Sequence, residues 1–231
     1  MKLQELACSR RWPAQHPDRL QLYSLATPNG VKVSIMLEET GLPYEVHKIN
    51  FDTADQKSPE FLALNPNGKI PVLIDPAATQ NEPLILSESG AILLYLAQKT
   101  GQLLPSGVIG RNQCMQWLMF QVSAIGPMFG QLGFFHRFAG REWPDKRPRD
   151  RYATESRRLL GVLDAQLATR EWLMGDAYSI ADIAVFPMID NLVKFYGAGE
   201  LVGIDDFRNV GRACESFLAR PAVIRGIRIP A

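Results

Sequence analysis

Apolar and polar positions alternate with period two over Leu20-Gln21-Leu22-Tyr23-Ser24-Leu25, as they do in a half-buried strand. Beyond the turn Ala26-Thr27-Pro28-Asn29-Gly30 the period changes. Val31, Ile35, Leu37 and Glu38 fall into a helical pattern, with Lys32, Ser34 and Glu39 interleaved as its polar positions. Gly41-Leu42-Pro43 ends that helix with a glycine and a following proline. Alternation returns over Tyr44-Glu45-Val46-His47-Lys48-Ile49, a second strand that should lie parallel to the first because a helical crossover separates them. A polar loop, Asn50 to Lys57, leads to Ser58-Pro59-Glu60, an N-cap with proline at the first helical position. The short helix it opens runs through Phe61, Leu62 and Leu64. After the turn Asn65-Pro66-Asn67-Gly68-Lys69, Ile70 to Asp75 reads as a strand with Pro71 near its start. Gln80-Asn81-Glu82-Pro83 is a turn and Leu84-Ile85-Leu86 the hairpin partner. Ser87-Glu88-Ser89-Gly90 then opens a helix through Leu96. The predicted order is βαβαββα.

From Gly101 the pattern is helical throughout. Gly101 to Gly110 is a linker, and Arg111 to about Phe138 is a long apolar helix, bent near Gly126-Pro127. Asp150 to Thr169 is amphipathic, with Tyr152, Leu159, Leu160, Leu163 and Leu167 on one face. Ser179-Ile180-Ala181-Asp182 has the spacing of a capping box, and Asp206 to Leu218 makes a last helix before Arg220-Pro221. The expected division is an extension over 1–19, an α/β domain over 20–100, a linker over 101–110 and an all-helical domain over 111–231. The extension shows no periodicity.

Composition narrows the function classes. With 46% apolar and 21% charged residues, the chain of 231 residues can bury a substantial core. A net charge of +1, with basic residues dispersed, argues against nucleic acid or an acidic membrane surface as partner. No run of 18 apolar residues and no secretory core at the N-terminus can be read, so the expected setting is cytoplasmic, with no membrane partner. The three cysteines, Cys8, Cys114 and Cys214, are far apart and form no Cys-x-x-Cys pair. Cys114 and Cys214 read as core, and Cys8, in the polar extension, as exposed. No cluster has metal-ligand spacing. If thiol chemistry occurs, a ligand must bring the sulfur.

The turn at 26–30 is where chemistry can start. A helix start exposes unpaired N–H groups and the positive end of the dipole, which can hold an anion such as a thiolate. Thr27 and Asn29 add a hydroxyl and an amide. An ordinary βα turn would carry the same residue types.

Thr27-Pro28-Asn29-Gly30, Asn65 to Pro71, Glu88 to Leu96, Gly126-Pro127-Met128-Phe129-Gly130-Gln131 and the capped Ser-Ile-Ala-Asp-Ile at 179–183 together resemble the cytosolic glutathione transferases, over about residues 20–225. Within that superfamily they are most similar to the bacterial Nu class. The resemblance implies a thioredoxin-like N-terminal domain followed by an all-α domain, a homodimer, and glutathione as cosubstrate with no metal. It implies glutathione-dependent disulfide reduction, with weak peroxidase activity. Conjugation of small electrophiles, reduction of organic peroxides, and a non-catalytic glutathione-binding scaffold are the alternatives. By the same resemblance Thr27 and Asn29 contact the sulfur region as catalytic residues. Ile70 and Pro71, at a cis-proline turn, pair with the cysteinyl main chain of glutathione. Glu88 and Ser89 hold the γ-glutamyl end, Gln56 the glycyl end, and Arg151 reaches in from the neighbouring subunit. Gln131, Phe134, Phe135 and His136 are open to two readings, a second-substrate cleft or core and interface. Tyr23 lies inside the strand and reads as core.

Overall fold

The computed structural model describes residues 3–79 and 82–230, in two compact units: residues up to 100 together with those from 221 onward, and residues 101–220. In the first unit the elements are β1 (Leu20–Ser24), α1 (Pro28–Thr40), β2 (Tyr44–Lys48), α2 (Pro59–Leu62), β3 (Val72–Asp75), β4 (Leu84–Ser87) and α3 (Ser89–Thr100). This is the predicted βαβαββα order. The strands form a sheet in the order β2-β1-β3-β4; β2 runs parallel to β1, while β3 is antiparallel to both β1 and β4. Of the turn expected over 80–83, Gln80 and Asn81 lie outside the described residues, as do Met1 and Lys2 of the extension.

Local chemistry accounts for the helix ends. Thr27 caps α1, its Oγ1 accepting from Gly30 N at 3.4 Å, with Pro28 in the first turn. Gly41 closes the helix at φ 67°, a left-handed conformation that glycine adopts without penalty. Ser58 caps α2 in the same way.

The extension behaves differently from its sequence reading. Two short 3₁₀ turns, Leu3–Glu5 and Ala7–Arg10, bury Leu3, Leu6 and Cys8 against Tyr23, Ile49, Phe61 and Val72. Cys8 is fully buried rather than exposed, and Tyr23 Oη donates to its Sγ at 3.5 Å. Apolar residues two or three apart on so short a segment carry no period, yet they fill one satellite of the core. Arg11 is paired with Asp55, and the Glu45 carboxylate accepts from the backbone N–H groups of Gln15 and His16. The extension thereby fastens the loop that carries Gln56.

The C-terminal segment also moves across the expected boundary. α10 (Pro221–Gly226) belongs to the first unit, packed on α1. A Cβ at Gly226 would lie 2.6 Å from Ile35 Cα, so only glycine permits this approach, and Ser34 Oγ donates to Gly226 O at 2.7 Å. With β1 and α3 on its other sides, α1 is covered nearly all round.

The second unit contains α4 (Val108–Phe120), α5 (Gly126–His136), α6 (Arg147–Leu167), α7 (Ile180–Asp190), α8 (Gly199–Val202) and α9 (Arg208–Leu218). α4 and α5 are joined through a π-helical stretch, Gln121–Ile125, at the predicted bend. Pro127 has no N–H to give the preceding turn, and widening the helix there accommodates its ring. The run Val108–His136 is long and apolar enough, by length and composition, to cross a membrane. Its residues Cys114, Leu118, Ile125, Phe129 and Leu132 are buried, while Val108, Ile109, Met119, Val122 and Phe134 are exposed. The capping box of α7 is formed: Ser179 N donates to Asp182 at 2.9 Å, and Ser179 Oγ accepts from Ala181 N at 3.3 Å. Burial pushes the Asp182 carboxyl up to about 6 even though Leu173 N and Ser179 donate to it. Both residues serve folding.

Candidate active site

The register of the sheet decides which loops meet. Tyr23 of β1 pairs with Val72 of β3, and Val72 pairs with Ser87 of β4. The end of β1, the start of β3 and the end of β4 therefore share one end of the sheet. Ser24 pairs with Lys48, and Ile49 N donates to Ser24 O at 2.9 Å, so the loop after β2 starts there too. The turn with Thr27 and Asn29, the Ile70-Pro71 pair, the Glu88-Ser89 pair and the loop with Gln56 all spring from that end.

At the first turn, a Cβ on Gly30 would lie 2.0 Å from Leu25 O and 2.5 Å from Ser24 Oγ. Only glycine lets the chain fold back so tightly, and this places Thr27 and Asn29 over the start of α1. Ile70-Pro71 is a cis peptide, as the resemblance implies, and lies just ahead of β3. Glu88 sits at φ 69°, in the left-handed region that costs a non-glycine residue of the order of 1 kcal/mol or more. Its side chain is exposed while Ser89, the first residue of α3, is buried. Together they present a carboxylate, a hydroxyl and the N–H groups of a helix start, the donor and acceptor set for an ammonium beside a carboxylate.

Gln56 follows Ala54, itself at φ 55°, and its backbone carbonyl would come within 3.1 Å of a Cβ on Gly68 in the loop leading to Ile70. The Gln56 Oε1 is buried with no hydrogen-bond partner among the described residues. Such an orphaned acceptor is satisfied by water or by a ligand donor. Arg151 is exposed on α6, in the second unit.

One residue at this site escaped the sequence reading. Lys32, assigned there to the polar face of α1, is fully buried, and its Nζ donates to Asn29 Oδ1 at 2.8 Å. Burial pulls its ammonium down to about 7, with the nearby Glu88 carboxylate acting in the opposite direction. The available signal was the spacing: Lys32 stands three residues after Asn29, one helical turn on, where side chains meet.

None of the cysteines lies at this end of the first unit's sheet in a reactive setting. Cys8 is buried in the core satellite described above. Cys114 is buried and its thiol pushed up by desolvation. Cys214 is half-buried, rather than full core, and is pushed up to about 12 by desolvation and the charge of Asp190. Tyr23 is core as read, and burial raises its hydroxyl. In the aromatic group of the second unit, Phe135 stacks on Tyr152 and packs edge-on against Phe134 and Trp143, and His136 contacts Gly197 O at 3.2 Å.

Comparison with known proteins gives the family. Residues 18–98 match the glutathione S-transferase N-terminal domain, and residues 127–221 the C-terminal domain. The disulfide-bond oxidoreductase YghU of Escherichia coli is 42% identical over 222 residues, covering 92% of this chain and 74% of the relative. A glutathione transferase from Burkholderia graminis, solved with two glutathione molecules per subunit, is 65% identical with a TM-score of 0.97, covering 99% of this chain and 95% of the other. One from Pseudomonas putida, with one glutathione disulfide per subunit, is 60% identical with a TM-score of 0.98 over 100% of both chains. By two matched domains and by relatives along nearly its whole length, the chain belongs to the glutathione transferase family.

Proposed function

We propose that this enzyme reduces disulfides with glutathione, in the manner of the Nu class, and that the attacking sulfur belongs to glutathione. One observation carries the reading: four ligand-competent loops converge at one end of the sheet, and the turn where a sulfur would sit offers Thr27 and Asn29 but no cysteine. In that arrangement Glu88 pairs with the γ-glutamyl ammonium, and Ser89 with the α-carboxylate. Ile70 pairs strand-fashion with the cysteinyl main chain, and Gln56 meets the glycyl end. Thr27 and Asn29 donate to the sulfur at the head of α1, where the dipole favours the thiolate. That thiolate attacks one sulfur of the substrate disulfide, forming a mixed disulfide and expelling the other sulfur as thiolate. A second glutathione thiolate then attacks the mixed disulfide, leaving glutathione disulfide and the second product thiol. Support comes from the relatives: YghU and YfcG of Escherichia coli are both named disulfide-bond oxidoreductases, and the Pseudomonas putida enzyme was solved with glutathione disulfide.

The test is a Cys8/Cys114/Cys214→Ala variant in a glutathione-coupled disulfide assay. It should keep most of its activity; a folded variant without activity refutes the mechanism. The active unit in this reading is a homodimer to which Arg151 contributes across the interface. Sedimentation should give twice the chain mass, and a fully active monomer would remove Arg151 from the site.

A further inference from the structure

A buried lysine one turn into the helix that carries the sulfur-binding turn calls for an explanation. Its side chain is fully enclosed, and the polar contact that defines its position is the one to Asn29 Oδ1, at 2.8 Å. An ammonium can only donate, whereas a side-chain amide has one end that accepts and one that donates. With Lys32 on one side, the amide of Asn29 has a single favourable orientation. Its oxygen points to the lysine, and its two N–H donors are left for whatever occupies the turn. An unconstrained asparagine on an exposed helix start could present either end, and an amide oxygen turned toward a thiolate would repel it.

We propose that Lys32 is a positioning residue for the sulfur site: by holding Asn29 Oδ1 it commits the Asn29 Nδ2 donors to the glutathione sulfur and places a positive charge behind them. The proposal rests on the glutathione reading of this site and extends it to a residue that does not itself touch the ligand. The surrounding charges are consistent with it. α3 brings Glu88 to its head, near enough to act on Lys32, while Lys99 at its other end is paired with Asp75 at 2.7 Å. α10 brings Arg225, which is engaged by Glu38 farther along α1. A thiolate arriving at the turn adds a second negative charge, so ligand and lysine each favour the charged form of the other. The depressed titration of Lys32 in the free protein leaves it responsive to that charge.

The experiment follows the ultraviolet absorbance of the bound thiolate through a pH titration in the wild type, Lys32→Met and Asn29→Asp. Affinity for S-methylglutathione, which has no ionisable thiol, is measured in parallel. In the wild type the bound thiol should titrate below the value of about 8.5 for a free thiol. Lys32→Met should raise it by about one pH unit, a roughly tenfold loss of thiolate at neutral pH. Its affinity for S-methylglutathione should stay within about twofold, which a general collapse of the site would not allow. Asn29→Asp keeps a partner for Lys32 but offers no N–H, and it should raise the thiol titration as well. If Lys32→Met does not fold, Lys32→Gln carries the test, since it removes the charge and can present either end to Asn29. A wild type that binds no glutathione, or binds it with an unshifted thiol, overturns the reading of the site. A depressed wild-type thiol that stays depressed in Lys32→Met overturns the role of Lys32 alone; one that stays depressed in Asn29→Asp removes Asn29 as a donor to the sulfur, and the role of Lys32 with it.

Discussion

Replacing Lys32 with methionine should make the protein more stable while weakening its thiolate site, and the size of the gain can be worked from the burial. The folded chain lowers the lysine from 10.5 to about 7. Each pH unit of that drop is worth about 1.4 kcal/mol, so enclosing the ammonium costs up to about 5 kcal/mol relative to water. Below pH 7 both the folded and the unfolded chain hold the proton, and the whole cost applies. Between about pH 7 and 10 the folded chain has released a proton that the unfolded chain still binds, so stability rises with pH through this window. By pH 9 the remaining cost is about 2 kcal/mol. Methionine is unbranched and of similar length, fits a slot made for a lysine stem, and brings no charge. The lost hydrogen bond to Asn29 offsets about 1 kcal/mol of the gain. Urea unfolding of both proteins at pH 6, 7.5 and 9 reads the difference directly. Lys32→Met should be more stable at pH 6 by several kcal/mol, and the gap should narrow toward pH 9. A variant that is less stable at pH 6, or a gap that does not change with pH, would refute the account.

Glu88→Ala should cost about 1–3 kcal/mol of glutathione affinity, a roughly ten- to hundredfold loss by calorimetry, because the γ-glutamyl ammonium loses its charged partner. Unchanged affinity would remove Glu88 from the site. Gly30→Ala forces a Cβ to within 2.0 Å of Leu25 O, so the turn must open. A loss of about 1–3 kcal/mol in urea unfolding is expected, with weaker glutathione binding. A variant that kept both would mean that the turn is looser than drawn.

What could be read from the sequence, and what could not, divides along a physical line. β1, α1 and β2 were legible from periodic patterns, and α2, β3 and β4 from short apolar runs, each bounded by its own turn chemistry: Pro28 and Gly41 around α1, Ser58-Pro59 at α2, the glycine at 68 before β3. Convergence of the four loops could not be read from any one segment. It follows from pairings such as Tyr23 with Val72 and Val72 with Ser87, which join residues far apart in the chain. The extension and α10 were misjudged for a related reason. Leu3, Leu6 and Cys8 show no period because their turns are too short to repeat one, and α10 opens on Pro221, a residue that marks the end of one helix as readily as the first turn of the next. Lys32 is the most instructive failure. A polar residue in an amphipathic pattern is assigned to the solvent face, but α1 has no such face from Gly30 to Leu37, where every residue is buried and β1, α3 and α10 pack around the helix. The pattern of one helix reports how many sides are buried only when every buried residue is apolar. Here Ser34 and Lys32 are the exceptions to that rule, and the lysine is the one bonded to Asn29, at the turn proposed to hold the thiolate. The costlier violation of the pattern thus lies where the proposed chemistry calls for a charge, and its energetic cost is borne by the apolar packing on the rest of α1.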